Sequence, residues 1–192
     1  MVLSGRSIEA DRSSDGDHAV QFYAYESQLI DRVSRFLATG LLTGGPAVAI
    51  ATLRHRRSIE AALAERGVDV RGAVRGGRLQ LLDAAGTLAR FMSDGRPNAE
   101  RFQEVIGAVL DAAGEGARAY GEMVALLWLA GKPDAALELE RMWNDLAERR
   151  SFALLCGYPT ELFQGSTGVS RIVELANVHD RIAPPNVGPD AA

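Results

Sequence analysis

The chain has 192 residues, of which 47% are hydrophobic and 24% are charged. This composition is ordinary for a soluble globular protein, and the length suits one domain with a sizeable core. The net charge of -4 argues against a protein that binds nucleic acid directly by neutralising phosphates. The single cysteine, Cys156, excludes an internal disulfide and a zinc ribbon. Because the sequence shows neither an apolar signal core nor an apolar run of roughly 20 residues, we expect a cytoplasmic protein that does not contact a membrane.

The first half of the sequence alternates between predicted strands and helices. We expect a flexible tail over residues 1–17, a strand at His18–Tyr23 and a helix over 26–39. Residues 46–52 form a short, continuous apolar run after two glycines, which is typical of a strand buried on both faces of a parallel sheet. The next three predicted elements are a helix, a strand and a short helix, over about 55–66, 78–84 and 88–93.

The second half contains the clearest helical patterns. Asn98 fits an N-cap, and an amphipathic stripe follows it. A short strand at Ala117–Gly121 leads into a helical hairpin, in which Gly131 lies just past the first helix and Pro133 begins the second. The last predicted elements are a buried strand, a helix or partial helix and a flexible tail, over 151–159, 169–181 and 183–192.

This alternation predicts an α/β fold of three layers, with a mostly parallel sheet, helices on both of its faces and a single domain over residues 18–182. In such sheets ligands bind at the carboxyl ends of the strands. The predicted strand ends carry a set of polar and aromatic side chains: Tyr23, Thr52, Arg54, His55, Asp83, Glu122, Cys156 and Tyr158.

The usual signatures of catalysis are absent from the sequence. A phosphate-binding P-loop needs G-x-x-x-x-G-K-[ST], whereas residues 23–28 contain neither glycine nor lysine. A G-x-S-x-G elbow is also absent. The histidines and Cys156 form no H-x-x-x-H or C-x-x-C pair, so we expect no metal site, although a site assembled from distant residues stays open. His179, near a predicted helix C-terminus, is interpreted as a structural cation.

Two carboxylates in the hairpin have two interpretations each. Gly121 fits an N-cap with Glu122 in the first helical turn, where a carboxylate suits the helix dipole, and Glu140 then lies on a solvated edge. Alternatively, both carboxylates lie at the rim of an aromatic-lined pocket.

The basic residues at 54–57 also have two interpretations. Cations at a helix start oppose the helix dipole, so this cluster needs a reason. Either the arginines face solvent and one pairs with a carboxylate such as Asp83, or they contact an anion or an acidic partner.

Several segments, in this order, resemble the MEDS family, the methanogen/methylotroph DcmR sensory domain. They are D-H-A-V-Q-F-Y at 17–23, G-L-L-T-G-G and A-I-A-T-L-R-H-R within 40–56, G-E-M-V-A-L-L-W at 121–128, L-E-x-x-W-N at 139–144 and L-L-C-G-Y-P at 154–159. The resemblance covers about 18–182 and implies a RecA/KaiC-like fold whose P-loop is degenerate. It also implies sensing of small hydrocarbon derivatives, often beside DNA-binding, histidine-kinase or anti-sigma modules.

The resemblance carries the candidate ligand-binding role onto ten positions: His18, Phe22, Tyr23, His55, Glu122, Trp128, Glu140, Trp143, Cys156 and Tyr158. Our leading hypothesis is a stand-alone, non-enzymatic sensory domain without a cofactor. A small, largely apolar ligand would lie at the strand ends, oriented by Glu122 and His18. Because neither tail has room for an output module, we expect action in trans on a regulatory protein, or self-association.

Two other hypotheses remain. One is a protein-interaction module of an anti-sigma or histidine-kinase pathway, which binds no ligand and docks through the hairpin and Arg54, Arg56 and Arg57. The other is an enzyme that uses Glu122 with His18 or His55 as an acid–base pair.

Overall fold

The computed structural model describes residues 17–164 and 168–183. Its strands are β1 (His18–Tyr23), β2 (Ala47–Ala51), β3 (Leu79–Asp83), β4 (Met92–Ser93), β5 (Arg96–Pro97), β6 (Ala117–Gly121), β7 (Phe152–Pro159) and β8 (Arg181–Ile182). Its helices are α1 (Glu26–Leu42), α2 (Leu53–Glu65), α3 (Val70–Arg75), α4 (Ala84–Ala89), α5 (Ala99–Ala113), α6 (Met123–Leu129), α7 (Pro133–Ala147) and α8 (Gly168–Asn177). A 3-10 turn at Thr160–Phe163 follows β7.

Six strands of the described residues form one parallel sheet, in the order β3-β2-β6-β7-β1-β8. In its register, Tyr23 lies opposite Pro159, Ile50 lies opposite Gly121, and Ala51 lies opposite Asp83. The carboxyl ends of β1, β2, β3, β6 and β7 therefore meet at one edge of the sheet.

Helices cover both faces of the sheet. Helices α1, α2 and α3 pack on one face, and α4 to α8 contribute to the core on the other. All five residues of β2 are buried, as expected for a strand covered on both faces. The predicted three-layer α/β fold with a parallel sheet is confirmed.

The region after β3 differs from the prediction of a helix over 88–93. Asp83 ends β3 and also caps α4, because its side chain accepts a hydrogen bond of 2.8 Å from the Gly86 N–H. The chain then forms the antiparallel hairpin of β4 and β5. Asp94 and Gly95 join these two strands with positive φ angles of 52° and 81°, as a two-residue D-G turn requires. The D-G pair was the signal for this hairpin.

The helical hairpin of α6 and α7 is confirmed. Gly131 has a φ of 71°, the Lys132 N–H donates to the Leu127 carbonyl, and Pro133 begins α7. Gly121, however, is the last residue of β6, so Glu122 takes the N-cap position instead.

The end of the chain also differs from the prediction of a helix over 169–181. Helix α8 ends at Asn177, and Arg181–Ile182 pairs with β1 as the edge strand β8. The predicted tails lie outside the described residues, except for Asp17 and Ala183. Among the described helices, none has the length and apolar character needed to cross a bilayer.

Candidate functional site

The first group of candidate residues surrounds a cleft of about 410 Å³ at the carboxyl edge of the sheet. We call it the strand-end cleft. Its polar lining residues are Tyr23, Glu26, Thr52, Arg54, His55, Glu122, Thr160 and Glu161. Its aliphatic lining residues are Ala24, Ala125, Leu126, Leu129 and Pro159. A larger cleft of about 500 Å³ lies beside Phe152, the first residue of β7, but ligands of parallel sheets bind at the opposite, carboxyl edge.

His55 is fixed in the strand-end cleft between two carboxylates. Its Nδ1 lies 2.8 Å from Glu122 Oε1, and its Nε2 lies 2.9 Å from Glu26 Oε1. Since a carboxylate oxygen faces each ring nitrogen, the imidazolium form fits this position. The hydrogen bond to Glu122 is the main cause that raises the pKa of His55, and it outweighs the opposing effect of burial. Arg54 forms an ion pair with Glu26, so two cations balance the two carboxylates.

The backbone at the end of β2 orients Glu122. The Thr52 N–H donates a hydrogen bond of 2.8 Å to Glu122 Oε2, and the Thr52 hydroxyl lies within 3.4 Å of both carboxylate oxygens. Thr52 also caps α2, since its hydroxyl accepts from the His55 N–H. The same short turn thus places Thr52 and His55 beside Glu122.

The turn between β1 and α1 stands where a phosphate loop would be. It has only two residues, Ala24 and Tyr25, and both backbone amides donate to Gln28 Oε1, at 3.1 and 3.2 Å. The side-chain oxygen of Gln28 therefore accepts the hydrogen bonds of both amides. At the end of β1, burial and the charge of Glu122 raise the pKa of Tyr23 above its usual range. Its hydroxyl is consequently a hydrogen-bond donor at neutral pH.

The second group of candidate residues lies inside the protein, around Glu140 of α7. Glu140 has no exposed surface. The Tyr158 hydroxyl donates to its Oε1 at 2.7 Å, and the Cys156 thiol donates to its Oε2 at 3.3 Å. His18 Nε2 lies 3.3 Å from Oε2, and His179 Nε2 lies 3.4 Å from Oε1. We call these five residues the polar cluster.

Outer contacts hold both histidine rings of the polar cluster in place. His18 Nδ1 lies 2.7 Å from Asn144 Oδ1, and the Asn144 amide nitrogen donates to the Val178 carbonyl at 2.8 Å. His179 Nδ1 donates to the Leu175 carbonyl at 2.6 Å. Because each Nδ1 hydrogen has an acceptor, each ring turns its Nε2 toward Glu140.

Burial and charge act in opposite directions on these groups. Burial disfavours the ionised form of Glu140, but the two histidines outweigh it and hold the pKa of that carboxyl well below its usual range. Burial, followed by the charge of Glu140, raises the pKa of the Cys156 thiol and of the Tyr158 hydroxyl well above their usual values. Glu140 is thus a buried carboxylate, and the prediction of a solvated edge was wrong because α7 turns this residue toward β7.

Comparison with known proteins identifies the family. The description "MEDS: MEthanogen/methylotroph, DcmR Sensory domain" matches residues 17–180. The chain belongs to the MEDS family. This is a family of sensory domains, which agrees with a sensory or signalling role. None of the curated proteins that were compared matches the chain.

A solved structure with a similar fold is that of the KaiC-like protein PH0186 from the hyperthermophilic archaeon Pyrococcus horikoshii OT3. It aligns with a TM-score of 0.61 and 13% sequence identity, over 90% of this chain and 76% of that chain. At this identity the likeness shows the fold alone, and the MEDS domain is RecA/KaiC-like in architecture.

Four of the five aromatic candidates of the MEDS domain, all except Tyr23, pack among other aromatic side chains and do not line the strand-end cleft. Trp128 lies 5.7 Å from Tyr158 and 5.0 Å from Phe163, measured between ring centroids, and Phe22 lies 5.5 Å from Phe163. Trp143 packs against Phe102, Phe152 and Gly121 in the same core. The cleft therefore has a mixed lining of polar and aliphatic side chains, with Tyr23 as its aromatic residue.

The structure separates residues that the sequence hypothesis placed together. Tyr23, His55 and Glu122 share the strand-end cleft. His18 begins β1 at the other end of the strand and contacts Glu140, so it lies apart from the strand-end cleft. The sequence reasoning missed the contacts made by four residues: Glu26, Thr52, Asn144 and His179.

The arginines at the start of α2 agree in part with the interpretation that they face solvent and that one of them pairs with Asp83. Arg56 is paired with Asp83 at 3.1 Å, as expected, and Arg54 is paired with Glu26. Arg57 is exposed.

Proposed function

We propose that this MEDS domain senses a small organic ligand, a hydrocarbon derivative, that binds in the strand-end cleft. The single observation that carries this proposal is the composition of that cleft. It places a patch of aliphatic side chains beside a larger set of polar groups, several of them fixed by hydrogen bonds, at the carboxyl edge of a parallel sheet. Its volume of about 410 Å³ is near the lower end of the range of about 300–1,000 Å³ for small-molecule sites.

The chemistry of the cleft favours a ligand with one polar end. Leu126 and Leu129 of α6 offer an apolar surface, while the Glu122 carboxylate and the Tyr23 hydroxyl offer an acceptor and a donor. Glu122 is already held by Thr52 and His55. A ligand hydroxyl or amine therefore meets a carboxylate that needs little reorganisation, which favours binding.

Exposed apolar side chains near the cleft offer a way to report occupancy to a regulatory protein in trans or to a second copy of the chain. Tyr25, Leu53 and Leu129 are 70%, 53% and 59% exposed. Leu129 lines the cleft, while Tyr25 and Leu53 are sequence neighbours of the lining residues Ala24 and Arg54. If these side chains form a contiguous apolar patch, that patch is the kind of surface that a partner covers.

We infer a non-enzymatic role from the arrangement of His55. His55 and Glu122 are within hydrogen-bond reach, which an acid–base pair requires. Both ring nitrogens of His55 nevertheless face carboxylates of the protein, so neither is open to a substrate.

The buried free thiol of Cys156 suits a reducing compartment, and we propose that the protein is cytoplasmic.

The test is thermal unfolding of the purified protein with a panel of short alcohols, amines and haloalkanes. A compound at 100 times its Kd stabilises the fold by about 2.7 kcal/mol, which raises the Tm of a domain this size by roughly 5–10 °C. Leu126→Trp, which fills the cleft without removing a polar group, should abolish the shift, and so should Glu122→Gln. Glu138→Gln, on α7 outside the lining residues, is the matched control and should keep it. No shift with any compound, or the same shift in Leu126→Trp, contradicts the proposal.

A second candidate function is an interaction module without a ligand, favoured by the exposed Arg57, which follows the exposed Leu53 by four residues on α2. In that case Arg57→Glu should abolish complex formation with an anti-sigma or histidine-kinase pathway protein while the fold is kept. Leu126→Trp should leave the same complex intact, because the cleft itself is not used.

A further inference from the structure

We propose that the polar cluster binds a divalent transition-metal ion of the zinc class through four side chains: His18, Glu140, Cys156 and His179. Each residue offers one ligand atom, and the four atoms lie within 4.8 Å of one another. This site is separate from the strand-end cleft and does not depend on the function proposed for it.

Three of the four ligand atoms have the spacing of neighbouring ligands around a tetrahedral ion. Metal–ligand bonds of about 2.0–2.3 Å place neighbouring ligand atoms of a tetrahedron about 3.3–3.8 Å apart. His18 Nε2 lies 3.3 Å from Glu140 Oε2 and 3.4 Å from Cys156 Sγ, while Cys156 Sγ lies 3.3 Å from Glu140 Oε2. His179 Nε2 lies 3.4 Å from the other carboxylate oxygen. Because the four atoms lie within 4.8 Å of one another, the set must contract around the ion to reach bonding geometry.

Both histidines are oriented as metal ligands are. A ligating histidine almost always donates its other ring N–H to a carbonyl or carboxylate, which fixes the tautomer. His179 Nδ1 has the Leu175 carbonyl as its acceptor, and His18 Nδ1 has Asn144 Oδ1. The Asn144 amide group is itself oriented by its bond to Val178. When an ion binds in place of the Nε2 proton, each ring directs its Nε2 lone pair into the cluster.

His179 adds an independent observation. Its side chain has no exposed surface, and its Nε2 atom has no hydrogen-bond partner among the described residues. The carboxylate that this atom faces, Glu140, is itself oriented by the 2.7 Å hydrogen bond from the Tyr158 hydroxyl. A buried nitrogen without a hydrogen bond, beside an oriented carboxylate, is the arrangement that a cation completes.

The donor types select the class of ion. Two imidazoles, a thiol and a carboxylate form a borderline-soft set that suits Zn²⁺ better than Mg²⁺ or Ca²⁺, which prefer oxygen ligands. A bound divalent ion removes the thiol proton, so thiolate, carboxylate and ion together carry no net charge inside the protein.

The ligands also join distant parts of the chain. They come from β1, α7, β7 and the turn after α8, which leads into β8. An ion bound here would fix the last described segment to the centre of the sheet.

Cobalt binding tests the proposal directly. The full chain is unfolded in guanidinium with a chelator and refolded with Co²⁺ or Zn²⁺, because a buried site acquires its metal as the protein folds. We expect one Co²⁺ per chain, with visible bands of a tetrahedral site and a near-ultraviolet sulfur-to-cobalt band, and displacement of Co²⁺ by Zn²⁺.

The variants separate the site from adventitious binding. His179→Gln should weaken Co²⁺ binding at least tenfold, and Cys156→Ser should remove the sulfur band while circular dichroism shows a native fold. His55→Gln is the matched control, since this third histidine of the chain lies outside the cluster, and it should bind Co²⁺ like the parent. The proposal is overturned if the refolded parent holds less than one Co²⁺, or if His179→Gln and His55→Gln bind it equally. The cluster is then a network of hydrogen bonds and ion pairs alone.

Discussion

Replacing Glu140 by glutamine tests whether the buried carboxylate of α7 stabilises the fold through its contacts with Tyr158, His18 and His179. The substitution keeps the shape of the side chain and removes its charge. The hydrogen bond from Tyr158 falls from the charge-assisted class, about 1.5–3 kcal/mol, to the neutral class, about 0.5–1.5 kcal/mol. His18 and His179 also lose the anion that faces them at 3.3 and 3.4 Å. Removing one partner of a buried ion pair costs about 3–5 kcal/mol in total.

The assay is urea unfolding followed by circular dichroism, with a chelator present so that only contacts within the protein count. In thermal unfolding, the loss of about 3–5 kcal/mol lowers the Tm by roughly 6–20 °C, because each kcal/mol corresponds to about 2–4 °C. The matched control is Glu138→Gln, two residues earlier on α7. Glu138 forms an exposed ion pair with Arg96, and such pairs contribute little. A loss below about 1 kcal/mol for Glu140→Gln would show that Glu140 is not an ionised, buried partner of the histidines.

Three further outcomes follow from single side chains. The pKa of His55 is raised in the folded state, so protonated His55 stabilises the fold below the unfolded pKa of about 6.5, and this stabilisation is lost as pH rises through the folded pKa. His55→Gln should therefore cost more stability near pH 6 than near pH 9. Equal costs in urea unfolding at the two pH values would contradict the ion pairs of His55. Tyr120 has a buried hydroxyl without a partner among the described residues, so Tyr120→Phe should be neutral or stabilise by up to about 1 kcal/mol, whereas Tyr158→Phe should destabilise by about 1.5–3 kcal/mol. Gly131→Ala should destabilise by about 1–2 kcal/mol in the same assay, because φ is 71° there, and no loss would refute the left-handed turn.

Local patterns were sufficient to predict most of the fold. The boundaries of β1 and β6 were predicted to the residue, and the apolar run of β2 identified a strand buried on both faces. Gly131 and Pro133 located the hairpin, because each residue has a backbone preference that few other positions accept. The error at 88–93 arose where a helix and a two-stranded hairpin compete over short segments, and there the D-G turn decided the outcome.

The candidate sites were less predictable, because they depend on strand order. Sequence alone does not show that β1 lies beside β7, and this pairing is what brings His18 to Cys156. His179 is 39 residues from Glu140 along the chain, and no local spacing connects them. The strand-end cleft was easier to predict, since parallel strands share an edge and the residues at or just after their ends meet there regardless of strand order. Tyr23, the last residue of β1, and Thr52, the first residue after β2, are two of them.

The polar cluster needs an explanation other than stability. Taking charges out of water is costly, and replacing a buried ion-pair network by apolar residues of similar volume is often neutral or stabilising by about 1–4 kcal/mol. The surrounding core is aromatic and aliphatic, with Trp128 and Phe163 packed directly against Tyr158, so apolar side chains would fit the same space. A fold that keeps a carboxylate, two histidines and a thiol in contact there gains something that apolar packing does not supply. The proposed metal binding supplies it, because the ion stabilises the folded state alone.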